Sequence, residues 1–176
     1  MKEQIIKFRE YLDYIERHYD NVQKAWQEIK DKCRAVGYFN FLHDEEMFNR
    51  ISYDVINHDL SKLSANEFTQ YRQYFFPTLN EVRNKDLFDS AWAHHLENNN
   101  HHWQNWTVNS EKSTYTEICL IHNIIDWMAM GYEFGDTAKD YYENNKSKIF
   151  FPDWAVEKMY EIFSWIYPSC SPVPPL

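Results

Sequence analysis

The chain has 176 residues, enough for one domain with a sizeable core. Its 18% aromatic content and three glycines exclude a disordered or loop-rich polymer and point to a packed, helix-rich body. A net charge of −9 excludes an overall field that gathers long nucleic acid, although a local pocket holding metal ions can still accept one small phosphorylated molecule. Cys33, Cys119 and Cys170 are odd in number and far apart, which is the pattern of reduced thiols in a cytoplasmic protein. The N-terminus leads straight into a charged amphipathic run with no signal-peptide pattern, and no apolar stretch is long enough to span a bilayer.

The first helix is predicted from about Glu3 to Cys33. Ile5, Phe8, Leu12, Ile15, Tyr19, Val22, Trp26 and Ile29 alternate three and four apart, so one face should be buried. His18 adjoins that stripe, in the series Ile15, His18, Val22, Ala25, and Gly37 punctuates the exit. Asp44 is placed to cap a second helix with Phe48, Ile51, Val55 and His58 inward, and Asp44-Glu45-Glu46 puts negative charge where the helix dipole favours it. Ser64-Ala65-Asn66-Glu67 matches a capping box, so a third helix is expected directly after Lys62, stopped by Pro77. A fourth helix turns Phe88, Ala91, Trp92 and His95 inward. Thr114-Tyr115-Thr116-Glu117 is a second box, opening a fifth helix through Cys119, His122, Asp126 and Met130 that Gly131 and Gly135 break. Asp136 and Pro152 mark the starts of two more. The expectation is a single all-α domain of six to seven helices over residues 1–167, followed by an extended proline-rich tail over residues 168–176.

His58-Asp59 carries the chemistry. Adjacent imidazole and carboxylate groups at the end of a helix must both be desolvated and paired, so a capped helix end with a core histidine is the bland reading of such a pair in isolation. Here the pair comes with His18 and Asp126 on inward faces, and one divalent ion can take His18, His58, Asp59 and Asp126. A carboxylate has two oxygens, so Asp59 can share a second ion with ligands from the cluster His94, His95, His101 and His102. His95 continues the inward stripe of its helix, while His94 points about 100° away. After Asn98-Asn99-Asn100 the helix should break, letting His101 and His102 fold back as a second-ion ligand or a proton donor; His101 is taken as the ligand and His102 as the donor. Mixed imidazole and carboxylate donors suit manganese, iron, cobalt, nickel or zinc. Lys62 lies three residues beyond Asp59, where a cation can hold a phosphate oxygen or offset charge on a leaving group; Arg72 is a further candidate cation. His122, one turn before Asp126, is expected to support or pack rather than ligate, and His43 is given no role. Trp103, Trp106 and Trp127 are expected to be core, with an aromatic wall for a base or sugar as the alternative.

The order His, His-Asp, Asp, all on helices, resembles the ligand order of the HD superfamily of metal-dependent phosphohydrolases. The stretch from His18 to Ala25 resembles that superfamily's first-helix pattern, and His58-Asp59-Leu60-Ser61-Lys62 resembles the His-Asp-x-x-Lys form of its HD-GYP branch. His94-His95-Leu96-Glu97 resembles that branch's His-His-Glu stretch, and the run from Ile124 to Met130 its last ligand segment. Together these segments span Tyr14 to Met130. No Gly-Tyr-Pro follows His95, so cyclic dinucleotide hydrolysis is not implied; His94-His95 through His101-His102-Trp103 with Asp126-Trp127 looks closer to an uncharacterised bacterial and phage family of HD-like proteins. The resemblance implies an HD-like helical bundle, one or two divalent transition-metal ions, and hydrolysis of a small phosphorylated metabolite or nucleotide by a metal-activated water. It leaves two alternatives, an HD-type di-iron oxygenase and a metal-stabilised binding protein without turnover.

Overall fold

The computed structural model describes residues 1–36, 44–107 and 111–168. The expectations for Gly37, His43, Cys170 and the tail beyond Pro168 lie outside the described residues. Among those described the chain is all helical: α1 (Lys2–Val36), α2 (Glu45–Ile56), a 3-10 turn (Leu60–Leu63), α3 (Phe68–Phe75), α4 (Lys85–Asn98), α5 (Trp103–Trp106), α6 (Thr114–Phe134), α7 (Ala138–Asn145) and α8 (Asp153–Ile166). The eight α-helices among the described residues exceed the six to seven expected because α5 is a single turn, too short to show a period. None of the described helices is long and apolar enough to cross a membrane.

α6 is the axis of the molecule. Every residue from Ile118 to Ala129 is buried, so this helix is apolar nearly all round and must be covered on all sides. α1, α2, α5, α7 and α8 pack against it. Their buried side chains form one large core, including Val22, Trp26 and Ile29 of α1, Ile51 and Val55 of α2, and Met159 and Phe163 of α8. A smaller cluster, Tyr11, Tyr71 and Ala91 with Phe68, Phe76 and Phe88 against it, joins α1 to α3 and α4. On α1, His18 falls between Tyr11 of the small cluster and Val22 of the large one, which places it at the seam.

Local signals explain several of the helix ends. Asp44 caps α2, its Oδ1 accepting from the Met47 N–H at 3.0 Å. Pro152 precedes α8 as expected. Gly135 closes α6 at φ 84°, a left-handed conformation that suits glycine. Gly131 does not break α6; the helix runs through it to Phe134. A Cβ at that position would meet the Asp136 carbonyl oxygen at 2.4 Å, so glycine is there to let the returning backbone close on the helix.

Several expected positions move. The N-terminal part of the α1 stripe is rotated: Ile5 and Leu12 are exposed, while Tyr11 is buried. The second capping box lies one residue earlier than expected, between Ser113 and Thr116, and Glu117 instead pairs with Lys158 at 3.2 Å. α7 is capped by Thr137, not Asp136, through a box with Asp140. The first box is absent. Ser64 does not cap α3, which begins at Phe68 with no side-chain cap at Glu67. Glu67 is drawn inward by two imidazoles, and that interaction belongs to the site.

Candidate metal centre

The end of α2 builds the core of the site. Asn57 closes the helix, and Asp59 takes a left-handed backbone at φ 56°, ψ 20°. It is the one non-glycine residue with positive φ among the described residues, a conformation that costs an L-residue about 1–2 kcal/mol and that Asp and Asn tolerate best. The reversal starts the 3-10 turn, with the Lys62 N–H donating to the Asp59 carbonyl at 2.8 Å. That turn brings Lys62 Nζ back to 2.6 Å from Asp59 Oδ2.

Ligand-type atoms of His18, His58 and Asp59 all lie within 4.8 Å of one another, and Asp126 adjoins the two imidazoles. His18 Nε2 from α1 lies 2.9 Å from His58 Nε2, 3.2 Å from Asp126 Oδ1 of α6 and 3.6 Å from Asp59 Oδ2. His58 Nε2 is 3.3 Å from Asp59 Oδ2 and 3.6 Å from Asp126 Oδ1. Two donors about 2.1 Å from a common ion sit about 3.0 Å apart at right angles and about 3.4 Å apart at the tetrahedral angle. The observed spacings bracket those values.

The other oxygen of Asp59 faces a second set. Asp59 Oδ1 is 3.2 Å from His95 Nε2 of α4 and 3.5 Å from His101 Nε2, and His95 Nε2 is 2.8 Å from His102 Nε2. His101 and His102 lie in the connection from α4 to α5, so the break after Asn98-Asn99-Asn100 does fold both back. Ligand atoms of Asp59, His95, His101 and His102 all lie within 4.8 Å of one another. Asp59 Oδ1 and His101 Nε2 are buried with no hydrogen-bond partner among the described residues. Buried polar atoms are seldom left so, and a cation is the partner that satisfies an anionic oxygen and a lone pair together.

Two of the candidate imidazoles, His58 and His95, are held from behind. His58 Nδ1 is 3.0 Å from His122 Nε2, and ligand atoms of His58, His101 and His122 form a further group within 4.8 Å of one another. Glu67 is wholly buried, and its two oxygens reach His94 Nδ1 at 2.7 Å and His95 Nδ1 at 2.8 Å. Such carboxylate–imidazole contacts fix the ring and its tautomer, leaving the opposite nitrogen free to ligate. Glu67 was missed in the sequence because its spacing from Ser64 matched a capping box. Its inward position has no local signature.

The electrostatics follow from burial set against opposite charge. Burial pushes the Asp59 carboxyl up, but His58, Lys62 and His95 outweigh it and hold it well below the ordinary carboxylate range. Asp126 behaves alike, with His18 the main counterweight. Burial pushes Lys62 down, and Asp59 more than reverses this, keeping the ammonium charged. His95 is also pushed down by burial, yet its contacts with Asp59 and Glu67 raise it to about 9. Burial lowers His102 to about 4 and His122 to about 3, and together with the neighbouring imidazoles holds His101 well below its usual value. Neutral imidazole is the form that ligates.

A cavity of about 380 Å³ opens onto His18, Asp59, Asp126, His95, His102 and Lys62. Trp103 and Trp127 line it too, and Trp127 is also core, whereas Trp106 packs on Phe151 at 5.4 Å. Arg72 is not available as a second cation. Its guanidinium is buried in a two-pronged pair with Glu81, one contact at 2.6 Å, and does not line this cavity.

Fold and site together define an all-helical protein with a buried cluster of imidazoles and carboxylates suited to divalent ions. The chain belongs to the family described as Family of unknown function (DUF5662), whose sequence profile matches residues 7–163. No curated protein and no solved structure matches the chain.

Proposed function

We propose that the protein is a phosphohydrolase of the HD type, holding two divalent transition-metal ions and acting on a small phosphorylated metabolite or nucleotide. The observation that carries this reading is Asp59, whose Oδ2 faces His18 and His58 while its Oδ1 faces His95 and His101. One bridging carboxylate between two imidazole sets is the layout for a pair of ions sharing a phosphoryl group. His18, His58, Asp59 and Asp126 would hold one ion, and Asp59, His95, His101 and His102 the other. Ions such as manganese, iron, cobalt, nickel or zinc supply a water of lowered pKa and withdraw charge from the phosphoryl oxygens.

The chain's own residues do the rest. Lys62, in the cavity wall beside Asp59, offsets negative charge that grows on the phosphoryl group. Glu67 and His122 keep His95 and His58 turned toward the ions. His102, neutral and 2.8 Å from His95, serves better as a ligand than as the proton donor first expected of it.

A second reading, a di-iron oxygenase, is favoured by the imidazole-rich set on the Oδ1 side of Asp59. A binding protein without turnover is the third. Elemental analysis after reconstitution, with hydrolysis of generic phosphoesters under manganese, cobalt or nickel, separates them. The phosphohydrolase reading expects two ions per chain and turnover that Lys62→Ala lowers without loss of metal. Iron with an oxygen-dependent visible spectrum and no hydrolysis selects the oxygenase. Metal that only raises the melting temperature selects the binding role.

A further inference from the structure

The composition of the cavity wall narrows the substrate further. Tyr14, Phe88 and Trp92 line it from α1 and α4, and Trp127 and Tyr141 from α6 and α7. Flat rings on several elements suit a flat ring between them. Charge in the wall runs against phosphate. Lys62 is its one lysine or arginine among the described residues, and Asp59 already engages it at 2.6 Å. Asp59, Asp126 and Asp136 all line the wall, and only the first two belong to the ion cluster. Asp136 sits where α6 gives way to α7, exposed at the cavity edge, with its backbone seated on Gly131. The hydroxyls of Tyr11 and Tyr71, two more lining residues, are buried without a partner among the described residues, so the hydrogen bonding still on offer is neutral.

We propose that this cavity selects phosphomonoesters of an alcohol bearing a flat aromatic group, nucleoside 5′-monophosphates among them, and that Asp136 turns pyrophosphates away. The inference rests on the phosphohydrolase reading and deepens it. Two ions and Lys62 neutralise one phosphoryl dianion. A second phosphate brings further charge with no cation to meet it, against aromatic rings or beside Asp136. In the reaction the oxygen of water bonds to phosphorus and the ester P–O bond breaks. Its electron pair leaves with the alcohol oxygen, which takes one of the water's protons. The products are inorganic phosphate and the free alcohol, and nothing is oxidised or reduced.

The test uses the full chain loaded with manganese and two readouts, stopped-flow tryptophan fluorescence for binding and phosphate release for turnover. Trp92, Trp103 and Trp127 in the wall report occupancy. Adenosine 5′-monophosphate should bind about tenfold or more tighter than adenosine 5′-diphosphate or glycerol 3-phosphate. Asp136→Lys should narrow the monophosphate-to-diphosphate gap about threefold to tenfold, and Asp136→Asn by less. Equal or tighter binding of the diphosphate, equal binding of glycerol phosphate, or no binding of any of the three overturns the inference. Monophosphate preference without phosphate release supports the inference and sinks the phosphohydrolase reading. Phosphate release without that preference does the reverse.

Discussion

Replacing Asp59 by Asn tests the centre at its most demanding point. Asn tolerates the left-handed backbone at φ 56° about as well as Asp, whereas Ala there would add strain of about 1 kcal/mol and blur the result. The amide keeps the volume of the carboxyl group but only one oxygen. It can serve one ion and cannot bridge two, so bound metal should fall from two ions per chain to at most one. Asn also removes the carboxylate 2.6 Å from Lys62, whose side chain is 15% exposed. Breaking a buried pair costs about 3–5 kcal/mol, and this partial exposure puts the figure near the lower end, about 3 kcal/mol. At 2–4 °C per kcal/mol for a chain of this size, the metal-free variant should melt roughly 6–12 °C below the metal-free parent.

Metal separates the two contributions. An ion at 1,000 times its dissociation constant stabilises the parent by about 4 kcal/mol, and the variant loses at least one such increment. The gap in melting temperature should therefore widen when manganese is added and shrink back with chelator. Lys62→Met in the Asp59→Asn background removes the stranded ammonium and should recover part of the metal-free loss, but none of the metal increment. Elemental analysis and thermal melts with and without metal read all of this. If Asp59→Asn still carries two ions, or if the gap is the same with and without metal, the bridging role is refuted.

Glu67→Gln removes the charge behind His95 while keeping its size; affinity on the Oδ1 side of Asp59 should fall about 10–100-fold and the other ion should stay, read by metal titration. Gly131→Ala sets a methyl against the Asp136 carbonyl and should destabilise by about 1–3 kcal/mol in urea melts despite alanine's better helix propensity; an unchanged midpoint would mean the loop yields freely. Glu81 is held at about 2 by its hydrogen bonds from Arg72 and the Thr78 N–H. Because this carboxyl is depressed in the folded chain, its stabilisation is full above the ordinary carboxylate value of 4.5 and is lost as pH falls toward 2. Glu81→Gln should accordingly flatten the acid limb of a stability–pH curve and lower stability at pH 7.

The buried cluster of imidazoles and carboxylates was legible in the sequence because its members are expensive to bury unpaired. A His-Asp pair on an inward face, with His18 and Asp126 in helical register with apolar neighbours, has few reasons to be there except a shared cation. What decides each ring's direction was not legible. His58 presents Nε2 to the cluster because His122 holds Nδ1, and His95 does so because Glu67 holds its Nδ1. Both partners come from other segments of the chain, and neither contact leaves a spacing to find. Ser64 and Glu67 show the competition directly. Their spacing is right for a helix start, and a cap contributes about 1 kcal/mol, but a charge-assisted contact to two imidazoles in a dry site is worth more, so the tertiary partner takes the carboxylate. Arg72 is the converse. It lay close enough in sequence to Lys62 to suggest a second phosphate-binding cation, yet Glu81 across the Pro77 turn already holds it. The exposed Ile5 and Leu12 follow the same logic, for in α1 the large amphipathic ring of Tyr11 took the inward place that hydropathy alone assigned to aliphatic neighbours. Periodicity thus located most of the helices and burial cost singled out the candidate ligands. Partners far apart in sequence decided which atoms face the cluster, and those atoms are what the Asp59 and Glu67 variants interrogate.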